Sequence, residues 1–234
     1  MGSTRLLGKV LMDLGGSSVL SRVVHRLKGA ELVDEVVVAT SDLPADDAIV
    51  RVCECLQVGW FRGSETDVLD RYCRAAKEYR AESVVRITAD CPLIAPEVVD
   101  ETISLYRRAR ADYASNAFPR TYPRGLDTEV FTMGALEKNW REAHQPYERE
   151  HVTPYFYGHP ELFRTVSLQG ARDYSRYRWT LDTTADLALL RAIYERLDNR
   201  DDFSWREAIE VMEREPELAE LNSHIVQKAV YAAG

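Results

Sequence analysis

Long apolar runs are missing from this chain of 234 residues, so nothing in it reaches the roughly 18 consecutive apolar residues that a membrane-spanning helix needs. Cysteine is scarce. Of the four, Cys53 and Cys55 stand one residue apart rather than at the two-residue spacing of zinc and redox motifs, and Cys73 and Cys91 lie singly. All four read as reduced, buried thiols of a cytosolic protein. Excess positive charge is absent too: 30 Lys and Arg against 38 Asp and Glu leave a net charge of −8, which argues against a general nucleic-acid binder. There is no internal repeat, low-complexity tract or interdomain linker. No signal-peptide pattern precedes the first motif, so the expectation is a cytoplasmic protein with neither membrane nor nucleic acid as partner. With 45% hydrophobic residues, the chain can bury one full α/β core.

What is present begins at once. The opening stretch MGSTRLLGK combines Gly2, Ser3, Thr4, Arg5, Gly8 and Lys9 ahead of an amphipathic helix. Glycines let backbone N–H groups approach an anion, hydroxyls donate, and Arg5 and Lys9 add charge; together they make a loop suited to a polyphosphate. Residues 1–28 hold Arg5, Lys9, Arg22, Arg26 and Lys28 against Asp13 alone, a positive end suited to a small anion. The P-loop pattern does not fit: five residues separate Gly2 from Gly8, and Val10 follows Lys9 where a hydroxyl residue belongs.

The order of elements predicts a parallel sheet covered on both faces. Val19, Leu20, Val23, Val24 and Leu27 fall on one helical face, capped by Ser17 or Ser18. Strands are expected at Val36 to Ala39, in VGWF, in SVVRIT, in DYASN and in RYRWTLD. Helices are expected from about Pro44, from Asp67 to Tyr79 and from Pro96 to Arg108, with three more closing the chain. Residues 117–176 lose this regularity and read as an insertion in a single domain of residues 1–234. Trp179 and the run Tyr155-Phe156-Tyr157 read as core or subunit contact, and His25 as structural.

Ligands of open parallel sheets sit beyond the carboxyl ends of the strands. Four such ends carry polar groups that a core does not need: Thr40-Ser41, Ser64-Glu65, Asp90 and Asp182. Asp90 could cap a turn and Asp182 the helix after it, although Thr183 or Thr184 could serve there instead. As a pair, the two suit a hard divalent cation that takes one or two protein oxygens plus phosphate oxygens and water. Paired acids could also do general acid–base work. Ser64 has an equal reading as a turn residue, and Asp67 and Arg71 one as a surface i,i+4 pair.

The chain resembles the bacterial cytidylyltransferases that activate sugar acids, in particular the spore coat polysaccharide biosynthesis branch, with CMP-KDO synthetases and acylneuraminate cytidylyltransferases as relatives. The strings GSTRLLGKVL, DEVVVATSDLPADDAI, FRGSETDVLDRY, VVRITADCPLI, TYPRGLDTEVF, YEREHVTPY, RWTLDTTADL and NSHIVQK carry the resemblance in order along the whole chain. It implies a Rossmann-like nucleotidyltransferase fold, with a mostly parallel sheet and helices on both faces. It also implies CTP and Mg²⁺ and transfer of CMP to an acidic sugar, of 3-deoxy-2-keto or nonulosonic type, with release of pyrophosphate in surface polysaccharide synthesis. Gly2, Ser3, Thr4, Arg5 and Lys9 would hold the phosphates, and Asp90 and Asp182 the metal. Ala39, Thr40, Ser41 and Ser64 would line the cytosine pocket. Arg124, Asp127, Glu129, Arg149, His151 and Arg178 would meet the acceptor, Arg149 and His151 first among them, since a carboxylate needs a cation. The insertion would also carry homodimer contacts.

Relatives have an apolar strand before the glycine loop, and Met1 matches the internal methionine of their Q-A-R-M-G-S pattern. The sheet is therefore expected to lack its usual first strand, with the true start upstream. Leu7 stands where proline is usual, and Ser17-Ser18 replaces a lysine–proline pair. Another nucleotide, a phosphonate acceptor, or nucleotide binding without turnover are the alternatives left open.

Overall fold

The computed structural model describes residues 6–227, so Gly2, Ser3, Thr4 and Arg5 lie outside the described residues. After a single 3-10 turn at Lys9–Leu11, strands β1 (Asp13–Leu14) and β2 (Ser17–Ser18) form a tight antiparallel hairpin over Gly15 and Gly16. Helix α1 (Val19–Leu27) follows, capped by Ser18, whose hydroxyl accepts from the Ser21 amide. Its apolar positions are buried as their spacing requires. Arg22 and Arg26 are buried as well. The Arg26 guanidinium donates to the carbonyls of Ile94 (2.6 Å), Asp201 (2.7 Å) and Phe203 (3.1 Å), and Arg22 donates to those of Leu14, Gly15 and Asn199. The polar side of α1 thus holds the 199–203 loop. His25 points outward and meets Asp201 at 3.2 Å.

Strand β3 (Val37–Ser41) is followed by a 3-10 turn at Pro44–Asp46, helix α2 (Asp47–Leu56) and strand β4 (Gly59–Gly63), which pairs with β3 in parallel. Helix α3 (Val68–Glu78), strand β5 (Ser83–Arg86), helix α4 (Pro96–Ala109) and strand β6 (Tyr113–Ser115) come next. The 117–176 stretch is more than an insertion. It contributes strand β7 (Glu129–Thr132), helices α5 (Met133–Glu142), α6 (Pro146–His151) and α7 (Pro154–Gly158), and strand β8 (Thr165–Ser167). The second sheet runs β5-β7-β6-β8, with β7 antiparallel to both neighbours and β6 parallel to β8. The β3–β4 pair is thus parallel, and the four-stranded sheet is mixed because β7 runs against its neighbours. Among the described residues β3 pairs only with β4 and β5 only with β7, so no ladder joins the two sheets.

Side chains of the larger sheet alternate between two packed layers. Val84, Phe131 and Tyr113 face a cluster built from α3, α5 and α7, whereas Val85, Val130, Ala114 and Val166 face one built from α1 and α4. Helix α1 divides its own face: Val23 and Leu27 join this second cluster, while Leu20 and Val24 pack with Ile49, Cys53 and Val38 beside the β3–β4 pair. Cys55 is exposed, unlike the other three thiols.

The RYRWTLD segment is extended but, among the described residues, makes no ladder beyond a single bridge of Arg178 to Arg124. Gly125, at φ 107°, allows this approach; a Cβ there would lie 2.7 Å from the Trp179 carbonyl carbon. Trp179 and Leu181 are buried among helices α8 (Thr184–Arg196) and α9 (Trp205–Arg214), and a 3-10 turn at Pro216–Leu221 replaces the third closing helix. Tyr155 and Phe156 are core residues, as their apolar surroundings require.

Candidate functional site

Asp90 follows β5, and Asp182 ends the extended 176–182 segment. The two backbones touch, the Leu181 amide donating to the Asp90 carbonyl at 2.8 Å. Their side chains converge. Lys9 Nζ lies 2.6 Å from Asp90 Oδ2 and 2.8 Å from Asp182 Oδ1. The remaining oxygens are held apart from this point: Thr88 Oγ1 donates to Asp90 Oδ1 (2.6 Å), and Arg178 Nη2 to Asp182 Oδ2 (2.6 Å). Burial works against the Lys9 charge, but the two carboxylates more than offset it, so its pKa is raised.

Asp182 caps no helix. Thr183 caps α8 in a capping box with Asp186. The sequence reading missed Asp186, which is fully buried. It accepts from the Asp182 and Thr183 amides (3.0 and 2.9 Å), the Thr183 hydroxyl, Arg178 Nε (3.0 Å) and Asn222 Nδ2 (2.8 Å). Asn222 also donates to the Arg178 carbonyl, so NSHIVQK at the chain's end was the signal for this support. Arg178, expected at the acceptor, is committed to Asp182, Asp186 and Gln227.

At the end of β3 both hydroxyls expected to read cytosine donate to Asp46 Oδ2, Thr40 at 2.7 Å and Ser41 at 2.6 Å. The Ser41 amide donates to the same oxygen at 3.0 Å. A hydroxyl whose proton is committed this way offers a further ligand only lone pairs. Ala39 is half-buried beside them. Ser64 behaves as a turn residue: its hydroxyl accepts from the Asp67 amide and its carbonyl from Arg71 Nη1. Asp67 caps α3 and pairs with Arg149, not with Arg71.

The acceptor candidates separate by their partners. Arg149 is spent on Asp67 (2.6 and 3.1 Å) and the Trp140 carbonyl, which ties α6 to the start of α3. Asp127 is paired with Arg120, and buried Glu129 takes Arg86 and the Tyr113 hydroxyl. His151 is half-buried, and burial lowers its pKa, so at neutral pH it is not a cation. Arg124 differs. Among the described residues its guanidinium makes no hydrogen bond or ion pair, and burial, then repulsion from Arg120, lowers its pKa. It stands close enough to Cys91, next to Asp90, and to Arg178 to feel both.

Two carboxylate oxygens meeting at one cation could supply two ligands to a hard metal ion, with phosphate oxygens and water supplying the others. Among the described residues no third His, Cys, Asp or Glu joins them, and no helix is long and apolar enough to cross a membrane.

The sequence pattern of the cytidylyltransferase family matches residues 1–228. The chain is 34% identical over 228 residues to the spore coat polysaccharide biosynthesis protein SpsF of Bacillus subtilis, covering 94% of this chain and 93% of that one. It superposes on a cytidylyltransferase from Leptospira borgpetersenii with a TM-score of 0.90 at 35% identity, covering 98% and 95% of the two chains. CMP:2-keto-3-deoxy-manno-octonic acid synthetase, solved with CTP, shares the fold with a TM-score of 0.63 at 20% identity, over 84% of this chain and 95% of that one.

Proposed function

The chain belongs to the cytidylyltransferase family, and from that premise we propose that it transfers CMP from CTP to an acidic sugar of the 3-deoxy-2-keto or nonulosonic type. It is a nucleotidyltransferase. In the proposed reaction an acceptor hydroxyl oxygen bonds to the α-phosphorus while the bond from that phosphorus to the bridging oxygen breaks. Pyrophosphate leaves, and the hydroxyl proton is lost to water. The product would serve surface polysaccharide synthesis, the process in the name of the Bacillus relative.

The observation that carries this reading is the shared cation of Asp90 and Asp182 at the sheet's edge. Their convergence fits Mg²⁺, which would neutralise charge on the α-phosphate when bound there. Lys9 would meet the phosphates together with Gly2, Ser3, Thr4 and Arg5, and so offset the charge that grows on the leaving pyrophosphate. Ala39, Thr40, Ser41 and Ser64 would form the wall beside the base; the lone pairs of the β3 hydroxyls suit the exocyclic amine of cytosine. For the acceptor, Arg124, whose guanidinium has no hydrogen bond or ion pair among the described residues, would take a carboxylate with two parallel hydrogen bonds. A dimer built on residues 117–176 and a cytoplasmic location belong to the same proposal.

The test is pyrophosphate release with each of the four nucleoside triphosphates against acidic, neutral and phosphonate acceptors, with Mg²⁺ present. Release with CTP and an acidic sugar alone is the expected result. Equal release with a neutral sugar sinks the acidic assignment.

A further inference from the structure

One ammonium fills the point at which the Asp90 and Asp182 carboxylates converge, 2.6 Å from one oxygen and 2.8 Å from the other. A Mg²⁺ ion needs the same oxygens at about 2.0–2.1 Å. Lysine and metal cannot both take them, because the two cations would then stand nearly in contact. We propose that Lys9 is a stand-in for the divalent ion: it keeps the carboxylates paired before nucleotide arrives, excludes free metal, and moves to the phosphates when the metal enters with the nucleotide. The proposal rests on the metal reading of the two aspartates given above.

The neighbouring cation shows why this role falls to Lys9. Arg178 also holds Asp182, but its guanidinium is fixed by Asp186 as well, so its departure would leave that fully buried carboxylate without its cation. Among the described residues Lys9 has two partners, both of them the carboxylates in question. It opens a single 3-10 turn after Gly8, whose φ is 64°, and exposed Leu7 precedes that glycine. Its four-carbon stem can carry the ammonium several ångströms by side-chain rotation alone. When it goes, Thr88 still holds Asp90 and Arg178 still holds Asp182, so the carboxylates remain aimed at the vacated point.

The experiment measures Mn²⁺ binding to the nucleotide-free protein, read as loss of the free-ion paramagnetic resonance signal, in wild type, Lys9→Met and Lys9→Gln. Both variants should bind Mn²⁺ about tenfold or more tightly than wild type, the scale of ordinary coupling between sites. Equal or weaker binding in a folded variant overturns the stand-in role. Should neither variant fold, the nucleotide-free wild type decides: Mn²⁺ binding that Asp90→Asn abolishes overturns the proposal, because free metal then reaches the aspartates past Lys9, and the absence of such binding supports it. Adding Asp90→Asn to Lys9→Met separates the two readings. If the gained binding vanishes, the ion sits on the aspartates; if it persists, the metal site lies elsewhere and the proposed function loses its carrying observation too.

Discussion

The Leu181 amide donates to the Asp90 carbonyl at 2.8 Å, so the spacing of the two carboxylates is set by backbone before any side chain or ligand acts. Asp90→Asn keeps that contact and removes the charge. Pyrophosphate release should fall at least about 100-fold, the scale of losing one electrostatic partner of the transferred group, while the circular dichroism spectrum stays native. Activity within a few-fold of wild type would take Asp90 out of the reaction.

Arg124 and Arg149 should fail differently. Arg124→Ala is expected to raise the acceptor KM about tenfold or more and leave the CTP KM in place, as loss of a charged hydrogen bond requires. Arg149→Ala instead strips Asp67 and the Trp140 carbonyl of their donor, and should lower the melting temperature by the equivalent of about 1–3 kcal/mol with little change in acceptor KM. Steady-state kinetics beside thermal melts distinguish the two; the opposite pattern reverses the assignment.

Asp186→Ala removes one of the two carboxylates that Arg178 holds and deprives Asn222 and the Thr183 amide of an acceptor. A loss of about 3–5 kcal/mol in chemical denaturation is expected. A stability within 1 kcal/mol of wild type, roughly the error of such curves, would mean that Asp186 does not hold this end of the site.

Gly125→Ala puts a Cβ 2.7 Å from the Trp179 backbone at a φ that disfavours side chains. About 1–3 kcal/mol of strain should appear in the melt. Activity should drop as well, because the displaced segment carries Asp182.

His151 gives a pH signature of known sign. Burial lowers its pKa below the ordinary 6.5, so between those values the unfolded chain binds more protons than the native one. Its contribution to stability is present above pH 6.5 and fades as pH falls toward the folded value. Imidazole resonances should titrate below 6.5, and His151→Asn should flatten the melting temperature between about pH 7 and 5. A His151 midpoint above 6.5 refutes this.

Much of this arrangement was legible in the sequence. Strong periodicity set α1 within its observed bounds, and polar residues at the ends of apolar runs marked Thr40, Ser41, Asp90 and the later Asp182. The family strings fixed the nucleotidyltransferase fold. Three features were not legible. EVFT is too short and too embedded in turns for its period to show, so the middle strand β7 read as insertion and the sheet read as parallel. RYRWTLD has strand composition, but its amides go to scattered carbonyls at Asp90 and Arg124 rather than to a ladder. Charge partners across long separations, such as Arg149 with Asp67 or Arg178 with Asp186 and Asn222, depend on packing that no local pattern records. That is why the acceptor candidates needed sorting by their bonds.

Helix α1 has a mechanical consequence. Its Leu20 and Val24 pack with Val38 of β3 and with Ala89, while Val23 and Leu27 pack with Ile87 and Ile94 on either side of Asp90. The end of β3 and the loop that carries Asp90 are thus keyed to each other through one nine-residue rod by greasy contact, which has no preferred direction. A change in how that rod seats would alter the distance between the two without breaking a single strand pairing.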